Sequence, residues 1–322
     1  MRNKYLVTLV IGTRPEAIKL APVIKVFCNS NKFEIRVILT GQHQDMVFDI
    51  FKLFNIKTNK NLNIMNHSQN LNILFSDMMY KLNNELCTYR PKLLVIQGDT
   101  SSAFAGALTA FNLKIPIAHV EAGLRTNDLY QPFPEEANRR IISQISTLHF
   151  APTIKAAENL KKNYITENVF ITGNTVIDAL MQESKKNKCP DFLKSKTNKD
   201  QLILVTVHRR ENWGNNLKDI CKSILKLLKM NKNAYFVIPM HKNKIVRNMI
   251  LELLSNNKRI ILKEPLKYDE LIATMKKSHF IMTDSGGIQE EAPSLGKPVL
   301  VLRKKTEREE AINCGSAKLV GT

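Results

Sequence analysis

The chain has 322 residues, of which 43% are hydrophobic and 24% are charged, and its formal net charge is +19. This length predicts two domains of ordinary size, with one large α/β unit as the alternative, and this hydrophobic content argues against long disorder. No apolar run is long enough to cross a bilayer, and the first run, Tyr5–Ile11, is too short and lacks a cleavage site. We therefore predict a cytoplasmic protein that is not exported and has no membrane partner.

The positive charge admits two interpretations. A basic chain can bind a polyanion such as nucleic acid, but here the excess is spread as lysines beside asparagines, without interleaved aromatics or a nucleic-acid motif. A solvated, lysine-rich surface fits better, so we predict no nucleic-acid partner. The five cysteines are scattered and have no metal-ligand spacing, which predicts reduced thiols and neither a metal site nor a disulfide framework.

Apolar runs alternate with segments of helical period along most of the chain. Most of these runs are continuous, as in strands that are buried on both faces of a parallel sheet. They are Tyr5–Ile11, Ile35–Leu39, Leu93–Ile96, Ile117–Val120, Leu202–Val207, Phe236–Ile238, Ile260–Leu262, Phe280–Met282 and Val299–Leu302. The rhythm predicts a doubly wound α/β fold in two Rossmann-like domains, residues 1–172 and 173–322, with the second sheet starting near Gln201.

The first strand leads into a helix start. Thr13 fits the N-cap position, and Glu16 completes a capping box with it, so an ordinary capped helix explains both residues. Arg14 and Lys19 are not explained in this way. Because a helix N-terminus carries free N–H groups and positive potential, we predict that these two cations belong to an anion site.

Acidic residues follow the next strands of the first domain. Asp99 comes after Leu93–Ile96, where it either caps the next helix or does chemistry. Glu121 stands at the end of Ile117–Val120, where burial is costly unless the carboxylate has a partner. Glu135 and Glu136 follow Pro134 and suit a helix start on electrostatic grounds, although one of them can still take part in chemistry.

Histidines follow strands as well. His208 stands at a predicted strand end between basic residues and an acid, which suits an imidazole that is tuned near neutrality. His241 and His43 occupy comparable positions after other strands. By contrast, three histidines, His67, His149 and His279, have no such setting, and we predict structural roles for them.

A glycine-rich turn follows Phe280–Met282. Ser285, Gly286 and Gly287 open a helix, and glycines there let a phosphate approach the backbone amides. Glu291 lies about one turn into the helix, where its carboxylate can accept hydrogen bonds from ribose hydroxyls. The turn predicts an anion site that suits a phosphate group.

Taken together, these segments resemble the non-hydrolysing UDP-N-acetylglucosamine 2-epimerases, which interconvert UDP-GlcNAc and UDP-ManNAc. The resemblance covers nearly the whole chain and is carried by long motifs in a fixed order. The motifs are GTRPEAIKLAP at 12–22, TGQH at 40–43, QGDT at 97–100, HVEAGLRT at 119–126, PEEANRR at 134–140, GNTVIDAL at 173–180, HRREN at 208–212 and TDSGGIQEEAPSLGKPVLVLR at 283–303.

The resemblance implies a glycosyltransferase-B architecture, a homodimer, and an active site in the cleft between the two domains. It implies acid/base roles for Asp99, Glu121, Glu135 and His208, and no metal or other cofactor. It further implies that UDP-GlcNAc or UDP-ManNAc is bound through a set of polar and glycine residues. These are Arg14, Lys19, Gln42, His241, Ser285, Gly286, Gly287 and Glu291.

The family reaction eliminates UDP to give 2-acetamidoglucal and adds it back after a proton reaches the opposite face of carbon 2. Its product supplies ManNAc units for cell-surface polysaccharide. Two rival enzymes remain open at this point. A hydrolysing epimerase typically has GTRAD in its first loop, whereas this chain has Pro15 and Glu16, and a glycosyltransferase of the same fold would need an acceptor site.

The chain departs from the family pattern in three places. Residues 304–310 read KKTEREE where the family often has DTTERPE, and Asp45 stands near the position of a second glutamine that accompanies allosteric activation by UDP-GlcNAc. Allosteric control is therefore not predicted. Family members also continue beyond the equivalent of Gly321 with helices that cross back to the first domain, so we expect this sequence to lack them.

Overall fold

The computed structural model describes residues 4–41, 44–64, 70–186, 189–195, 199–241, 243–306 and 308–321. The chain divides into two compact units, which we name unit 1 (residues 1–179) and unit 2 (residues 180–322). The predicted boundary after residue 172 lies just before the helix Thr175–Ser184, whereas the observed division falls inside that helix.

Within its described residues, unit 1 carries a seven-stranded sheet. Its strands are β1 (Tyr5–Ile11), β2 (Phe33–Leu39), β3 (Lys60–Asn61), β4 (Leu93–Gln97), β5 (Ile117–Val120), β6 (Leu148–Ala151) and β7 (Val169–Ile171). The strands lie in the order β3-β2-β1-β4-β5-β6-β7, and each neighbouring pair is parallel.

Helices connect these strands. They are α1 (Arg14–Cys28), α2 (Gln44–Phe54), α3 (Leu71–Thr88), α4 (Ser101–Asn112), α5 (Glu135–Ile145) and α6 (Ile154–Lys162), and α7 (Thr175–Ser184) follows β7. The central strands are apolar on both faces, and Val10, Leu94 and Ile96 are fully buried. The continuous apolar runs of the sequence thus reflect cover on both sides of the sheet.

The strand order reverses between β1 and β4. In such a sheet the loops that follow the two neighbouring strands run in opposite directions and leave a crevice at their carboxyl ends. The loop after β1 contains Arg14, and the loop after β4 contains Asp99. The fold therefore places both of these predicted site residues at the switch point of unit 1.

Unit 2 repeats the plan with a six-stranded sheet in the part of the chain that the structure describes. Its strands are β8 (Gln201–Thr206), β9 (Ala234–Pro239), β10 (Ile260–Lys263), β11 (Phe280–Thr283), β12 (Val299–Val301) and β13 (Ala317–Leu319). Its helices are α8 (Asn215–Met230), α9 (Lys244–Leu254), α10 (Tyr268–Lys277), α11 (Gly286–Ser294) and α12 (Glu309–Asn313), with short 3-10 turns at Asp191–Leu193 and Arg210–Asn212.

The order β10-β9-β8-β11-β12-β13 reverses between β8 and β11. His208 follows β8 and the Ser285–Gly287 turn follows β11, so both lie at the switch point of unit 2. Parallel pairing of β8 with β11, from Ile203 opposite Phe280 to Thr206 opposite Thr283, brings the two loops together at one edge of the sheet.

Each apolar run of the sequence contains or overlaps an observed strand, and this confirms the predicted α/β class. Four further strands, β3, β6, β7 and β13, were not predicted. Among the described residues, no helix is both long enough and apolar enough to cross a membrane.

Candidate active site

The loop after β1 is organised around the buried carboxylate of Glu16. Thr13 is the N-cap of α1, and its backbone N–H and hydroxyl donate to Glu16 Oε2 at 2.6 and 2.7 Å. The N–H of Gly12 donates to the same oxygen at 3.1 Å, and the Thr100 hydroxyl donates to Oε1 at 2.8 Å. Burial raises the pKa of the Glu16 carboxyl to about 7, although these hydrogen bonds act to lower it.

Gly12 is required here by close packing. A Cβ atom at this position would lie 2.0 Å from Ser102 Oγ and 2.8 Å from Thr40 Oγ1, which no side chain tolerates. The start of α4 and the end of β2 therefore press directly against the loop that carries Arg14. Arg14 itself is the first residue of α1 and is half-buried.

Asp99 does not cap α4. Thr100 is the N-cap, and its hydroxyl oxygen accepts from the N–H of Ala103 at 3.1 Å, so the capping interpretation of Asp99 is wrong. The Asp99 carboxylate instead pairs with Arg139 of α5, whose Nε donates to Oδ2 at 2.9 Å and whose Nη2 contacts the same oxygen. Asn138 Nδ2 donates to the Asp99 carbonyl at 2.8 Å.

Glu121 has the partners that its buried position demands. Its carboxylate accepts from Lys19 Nζ at 2.5 Å and also from Gln97 Nε2, and its side chain is only 8% exposed. Its backbone adopts φ +65, which turns the chain sharply at the strand end. Lys19 was predicted to contact phosphates, and the structure places its ammonium against this acid.

The register of the sheet places Asp99 and Glu121 at the ends of neighbouring strands, one position apart along the strand direction. Gln97 of β4 pairs with Val120 of β5, so the next residues, Gly98 and Glu121, lie side by side, with Asp99 one position further. The N–H of Gly98 donates to the carbonyl of Val120 at 3.0 Å. Two carboxylates, each paired with a cation, therefore follow neighbouring strands at the carboxyl edge of the unit 1 sheet.

The paired glutamates at the start of α5 have different roles. Glu136 is fully buried and accepts from the backbone of Thr126 at 3.1 Å, from Arg139 Nη1 at 3.1 Å and from Arg140 Nε at 2.9 Å. It ties the irregular loop before α5 to the helix. Glu135 is half-buried in the first turn, so it is the member of the pair that is accessible for chemistry.

His119 contributes a contact that the sequence did not reveal. Its ring is fully buried in β5, and Nε2 lies 2.8 Å from the carbonyl of Gly98. Burial lowers the pKa of His119 to about 3, so the imidazole is neutral and donates Nε2–H to that carbonyl. This hydrogen bond holds the backbone next to Asp99.

In unit 2, the buried carboxylate of Asp284 holds His208. Asp284 Oδ1 lies 3.0 Å from His208 Nδ1, and Oδ2 accepts from the N–H groups of His208 and Arg209 at 2.9 Å each and from Asn212 Nδ2 at 2.9 Å. Burial alone would raise the pKa of the Asp284 carboxyl, but these donors outweigh it and hold the pKa below its usual value.

This contact fixes the orientation of the imidazole. Because Nδ1–H donates to Asp284, the Nε2 edge of His208 points away from the carboxylate, and 43% of the side chain is exposed. His241 stacks on His208, with ring centroids 6.2 Å apart, and its Nδ1 accepts from the N–H of Asn243 at 3.1 Å. Burial and then the neighbouring His208 lower the pKa of His241, which favours the neutral ring.

The glycine turn of unit 2 starts α11 as predicted. Ser285 is the N-cap, its N–H donates to Thr283 Oγ1 at 3.0 Å, and Gly286 and Gly287 form the first turn. Gly287 is exposed, and a Cβ there would meet nothing closer than 3.7 Å. Glu291, 6% exposed, lies below it: its Oε1 would be 3.7 Å from that Cβ. The start of this helix therefore presents open backbone.

Arg308 adds a cation that the sequence did not predict. A Cβ at Gly286 would lie 3.1 Å from Arg308 Cζ, so the guanidinium occupies the space that the glycine leaves. Arg308 Nε donates to Glu290 Oε1 at 3.0 Å, and Nη2 lies 2.9 Å from the same oxygen. The sequence did not predict a role for Arg308, because the residues of α11 that it contacts lie near it in the folded protein and not along the chain.

Some predicted residues are outside the described part of the chain. Gln42, His43 and His67 all fall there. Of the other predicted structural histidines, His149 is buried in β6 and His279 is exposed before β11. Within the described residues, no group of three or more His, Cys, Asp or Glu side chains is arranged to hold a metal ion.

Comparison with known proteins identifies the family. Residues 25–322 match the family model described as UDP-N-acetylglucosamine 2-epimerase. A UDP-N-acetylglucosamine 2-epimerase of Campylobacter jejuni is 46% identical, with the alignment covering 98% of this chain and 85% of the relative.

Solved structures agree with the sequence match. A crystal structure of UDP-GlcNAc 2-epimerase from Neisseria meningitidis bound to UDP-GlcNAc is 47% identical, with a TM-score of 0.90 and coverage of 98% of this chain and 87% of that one. A Methanocaldococcus jannaschii UDP-GlcNAc 2-epimerase in complex with UDP-GlcNAc and UDP is 36% identical, with a TM-score of 0.82 and coverage of 98% and 89%. These neighbours confirm the α/β fold of glycosyltransferase-B type. The matched residues, the identity over nearly the whole chain and the shared fold show that this chain belongs to the UDP-N-acetylglucosamine 2-epimerase family.

Proposed function

We propose that this chain is a non-hydrolysing UDP-N-acetylglucosamine 2-epimerase, which interconverts UDP-GlcNAc and UDP-ManNAc. The observation that carries the proposal is the pair of carboxylates at neighbouring strand ends of unit 1. Asp99 is held by Arg139, and Glu121 is held by Lys19. An epimerisation needs a group that removes a proton from carbon 2 and a group that returns one to the opposite face, and two separately held carboxylates meet that need.

The reaction runs through elimination. Carbon 2 carries no strongly acidic proton, so loss of that proton is coupled to breaking of the bond between carbon 1 and the UDP oxygen. The products of this step are 2-acetamidoglucal and UDP. In the second step a proton is delivered to carbon 2 from the other face, and the UDP oxygen adds again to carbon 1, so every atom is returned.

The acid/base roles fall on residues of unit 1. Asp99 and Glu121 form the leading pair, and Glu135, the accessible glutamate at the start of α5, completes the set. Each member of the leading pair is held in place by a cation, Asp99 by Arg139 and Glu121 by Lys19. Neither carboxylate is assigned to one face of carbon 2.

Residues of unit 2 are proposed to bind the diphosphate. Ser285 and the backbone N–H groups of Gly286 and Gly287, together with the positive end of the helix dipole at the start of α11, suit the departing UDP. Arg308 beside Gly286 adds positive charge there. Glu291 is proposed to bind the ribose hydroxyls.

His208 and His241 serve the same group. The Nε2 edge of His208 points away from Asp284, so it can contact the diphosphate or a sugar hydroxyl, and His241 lies against it. Arg14, Lys19 and Gln42 complete the proposed substrate contacts. The homodimer, the cytoplasmic location and the supply of ManNAc units for cell-surface polysaccharide are further parts of this proposal.

The test is product analysis in D2O. The protein is incubated with UDP-GlcNAc, and the products are identified by mass spectrometry and proton NMR. We expect UDP-ManNAc with deuterium at carbon 2 and no accumulation of free sugar. Free N-acetylmannosamine with UDP would indicate the hydrolysing reaction instead, and sugar transfer to an acceptor without deuterium at carbon 2 would indicate a glycosyltransferase.

A further inference from the structure

Glu16 makes more contacts than a helix cap requires. The capping contacts fall on one oxygen, Oε2, which accepts from Gly12 and from Thr13. The other oxygen, Oε1, accepts from the hydroxyl of Thr100, which lies 84 positions away in the chain. The second contact adds nothing to the cap of α1, and it joins the loop after β1 to the loop after β4.

The loop after β4 contains residues 98–100, which we name the Asp99 turn. Each of these residues forms a hydrogen bond with a side chain from another part of unit 1. His119 lies 2.8 Å from the carbonyl of Gly98, Asn138 donates to the carbonyl of Asp99, and Thr100 donates to Glu16. Gly98 has φ +71, a conformation that glycine adopts readily, and it turns the chain away from the strand direction. Of these three contacts, only the one through Thr100 reaches the loop that carries Arg14.

The same helix also holds the second acid. Lys19 follows Glu16 by three residues on α1, and its ammonium pairs with Glu121. Residues three apart lie on one face of a helix, so one face of α1 reaches both acid-bearing loops. α1 is buried on this face: Glu16 is 1% exposed, and Leu20, four residues on, has no exposed surface.

We propose that Glu16 is a positioning residue, which fixes the Asp99 turn against the loop of Thr13 and Arg14 through its hydrogen bond with Thr100. Glu16 itself does not touch substrate in this proposal. The inference rests on the proposed function in one respect, namely that Asp99 acts on the substrate. A displacement of about 1 Å in an acid/base group can cost about a hundredfold in rate, so a link that holds the turn affects turnover more than binding.

The experiment compares Thr100→Val with Thr153→Val. Both threonines are N-caps, and both accept from a backbone N–H three residues on at 3.1 Å, Thr100 from Ala103 and Thr153 from Ala156. Each substitution therefore removes an equivalent cap, and only Thr100→Val also removes the contact with Glu16. Thr100→Ser keeps the hydroxyl and serves as the conservative variant.

Two measurements are made on each variant. The first is kcat and KM for deuterium incorporation at carbon 2 of the nucleotide sugar, and the second is amide hydrogen exchange of the peptide that contains residues 97–100. We expect Thr100→Val to lower kcat by about ten- to a hundredfold, with KM within about twofold of the wild type, and to speed amide exchange in that peptide. Thr153→Val and Thr100→Ser are expected to stay within about threefold of the wild-type kcat.

Equal behaviour of Thr100→Val and Thr153→Val in both measurements would overturn the inference while leaving the proposed function intact. A wild-type protein without exchange at carbon 2 would overturn the proposed function, and the amide exchange would still decide whether the Glu16 link holds the turn. If Thr100→Val does not fold, Thr100→Ala replaces it, with Thr153→Ala as its matched control, because alanine also lacks the hydroxyl that donates to Glu16. A kcat for that variant equal to the wild type would also count against the proposal.

Discussion

At the scale of single residues, the buried carboxyl groups of Glu16 and Asp284 show how hydrogen-bond partners change a pKa. Glu16 and Asp284 each accept several hydrogen bonds, yet burial raises the pKa of Glu16 to about 7, whereas the pKa of Asp284 lies below its usual value despite burial. The donors to Glu16 are neutral backbone and hydroxyl groups. Asp284 has in addition the imidazole of His208, whose hydrogen bond with the carboxylate lowers the pKa of Asp284.

The raised pKa of Glu16 predicts a pH dependence of stability. A carboxyl whose pKa is higher in the folded than in the unfolded protein stabilises the fold fully below the unfolded value of 4.5 and loses that contribution as pH rises through about 7. We expect the free energy of unfolding of the wild type to fall by roughly 3 kcal/mol more than that of Glu16→Gln between pH 4 and pH 8. Urea unfolding at several pH values measures the difference, and parallel curves for the two proteins would contradict it.

Asp284 predicts the opposite sign. Because its pKa is lower in the folded protein, its contribution is present above the ordinary value of 3.8 and is lost as pH falls through the folded value. In the wild type the donors around Asp284 share two carboxylate oxygens, whereas Asp284→Asn offers them only one amide oxygen. We therefore expect the free energy of unfolding to fall by about 2–3 kcal/mol at pH 7. His208→Ala, which removes only the half-exposed partner, is expected to cost about 1 kcal/mol or less. Urea unfolding compares them, and equal losses would argue against the buried network.

At the scale of elements, the central strands were predictable and the outer ones were not. β1, β4 and β5 are continuous apolar runs because helices cover both faces of the sheet there. The outermost strands lack such cover: Phe170 and Ile171 of β7 are 48% and 56% exposed, and β13 is half-exposed as well. A short edge strand of this kind is held mainly by backbone pairing with one neighbour, so its sequence lacks the continuous apolar run that marks a central strand.

The candidate site was predictable to the extent that it follows strand ends. The rule that ligands bind beyond the carboxyl ends of parallel strands selects Asp99, Glu121, His208 and the glycine turn directly from the sequence. The rule cannot show pairings between distant segments. Two such pairings are the contact of Lys19 with Glu121 and the approach of Arg308 to Gly286. Both depend on tertiary packing, which no local sequence pattern specifies.

The start of α11 carries its own prediction. Gly287 is exposed with open space above its Cα, so Gly287→Ala is expected to leave the fold intact and its melting temperature within about 2 °C of the wild type. A methyl group there would block the approach of a phosphate to the helix amides, so we expect UDP affinity to fall about tenfold or more. Isothermal titration with UDP measures this, with Ser294→Ala at the other end of the same helix as the control. Unchanged affinity in Gly287→Ala would remove α11 from the proposed diphosphate site.

At the scale of the whole molecule, the net charge of +19 is compatible with an anionic substrate but does not identify it. The cations of the candidate site are few and specifically placed: Lys19 and Arg139 each pair with an acid of unit 1, and Arg308 lies beside the glycine turn of unit 2. The remaining lysine excess is interpreted as surface charge. The assignment of function therefore depends on the acids and the helix start, and the overall charge adds little.

The central claim is that the acids of unit 1 exchange the proton at carbon 2. The most direct measurement is deuterium incorporation at carbon 2 of UDP-GlcNAc in D2O, followed by NMR for the wild type and for Asp99→Asn, Glu121→Gln and Glu135→Gln, with UDP affinity measured on each protein. Each substitution removes a proton-transfer group but leaves the start of α11, the proposed diphosphate site of unit 2, unchanged, so we expect exchange to fall by about a hundredfold or more with UDP affinity retained. Exchange at the wild-type rate in all three variants would contradict the account.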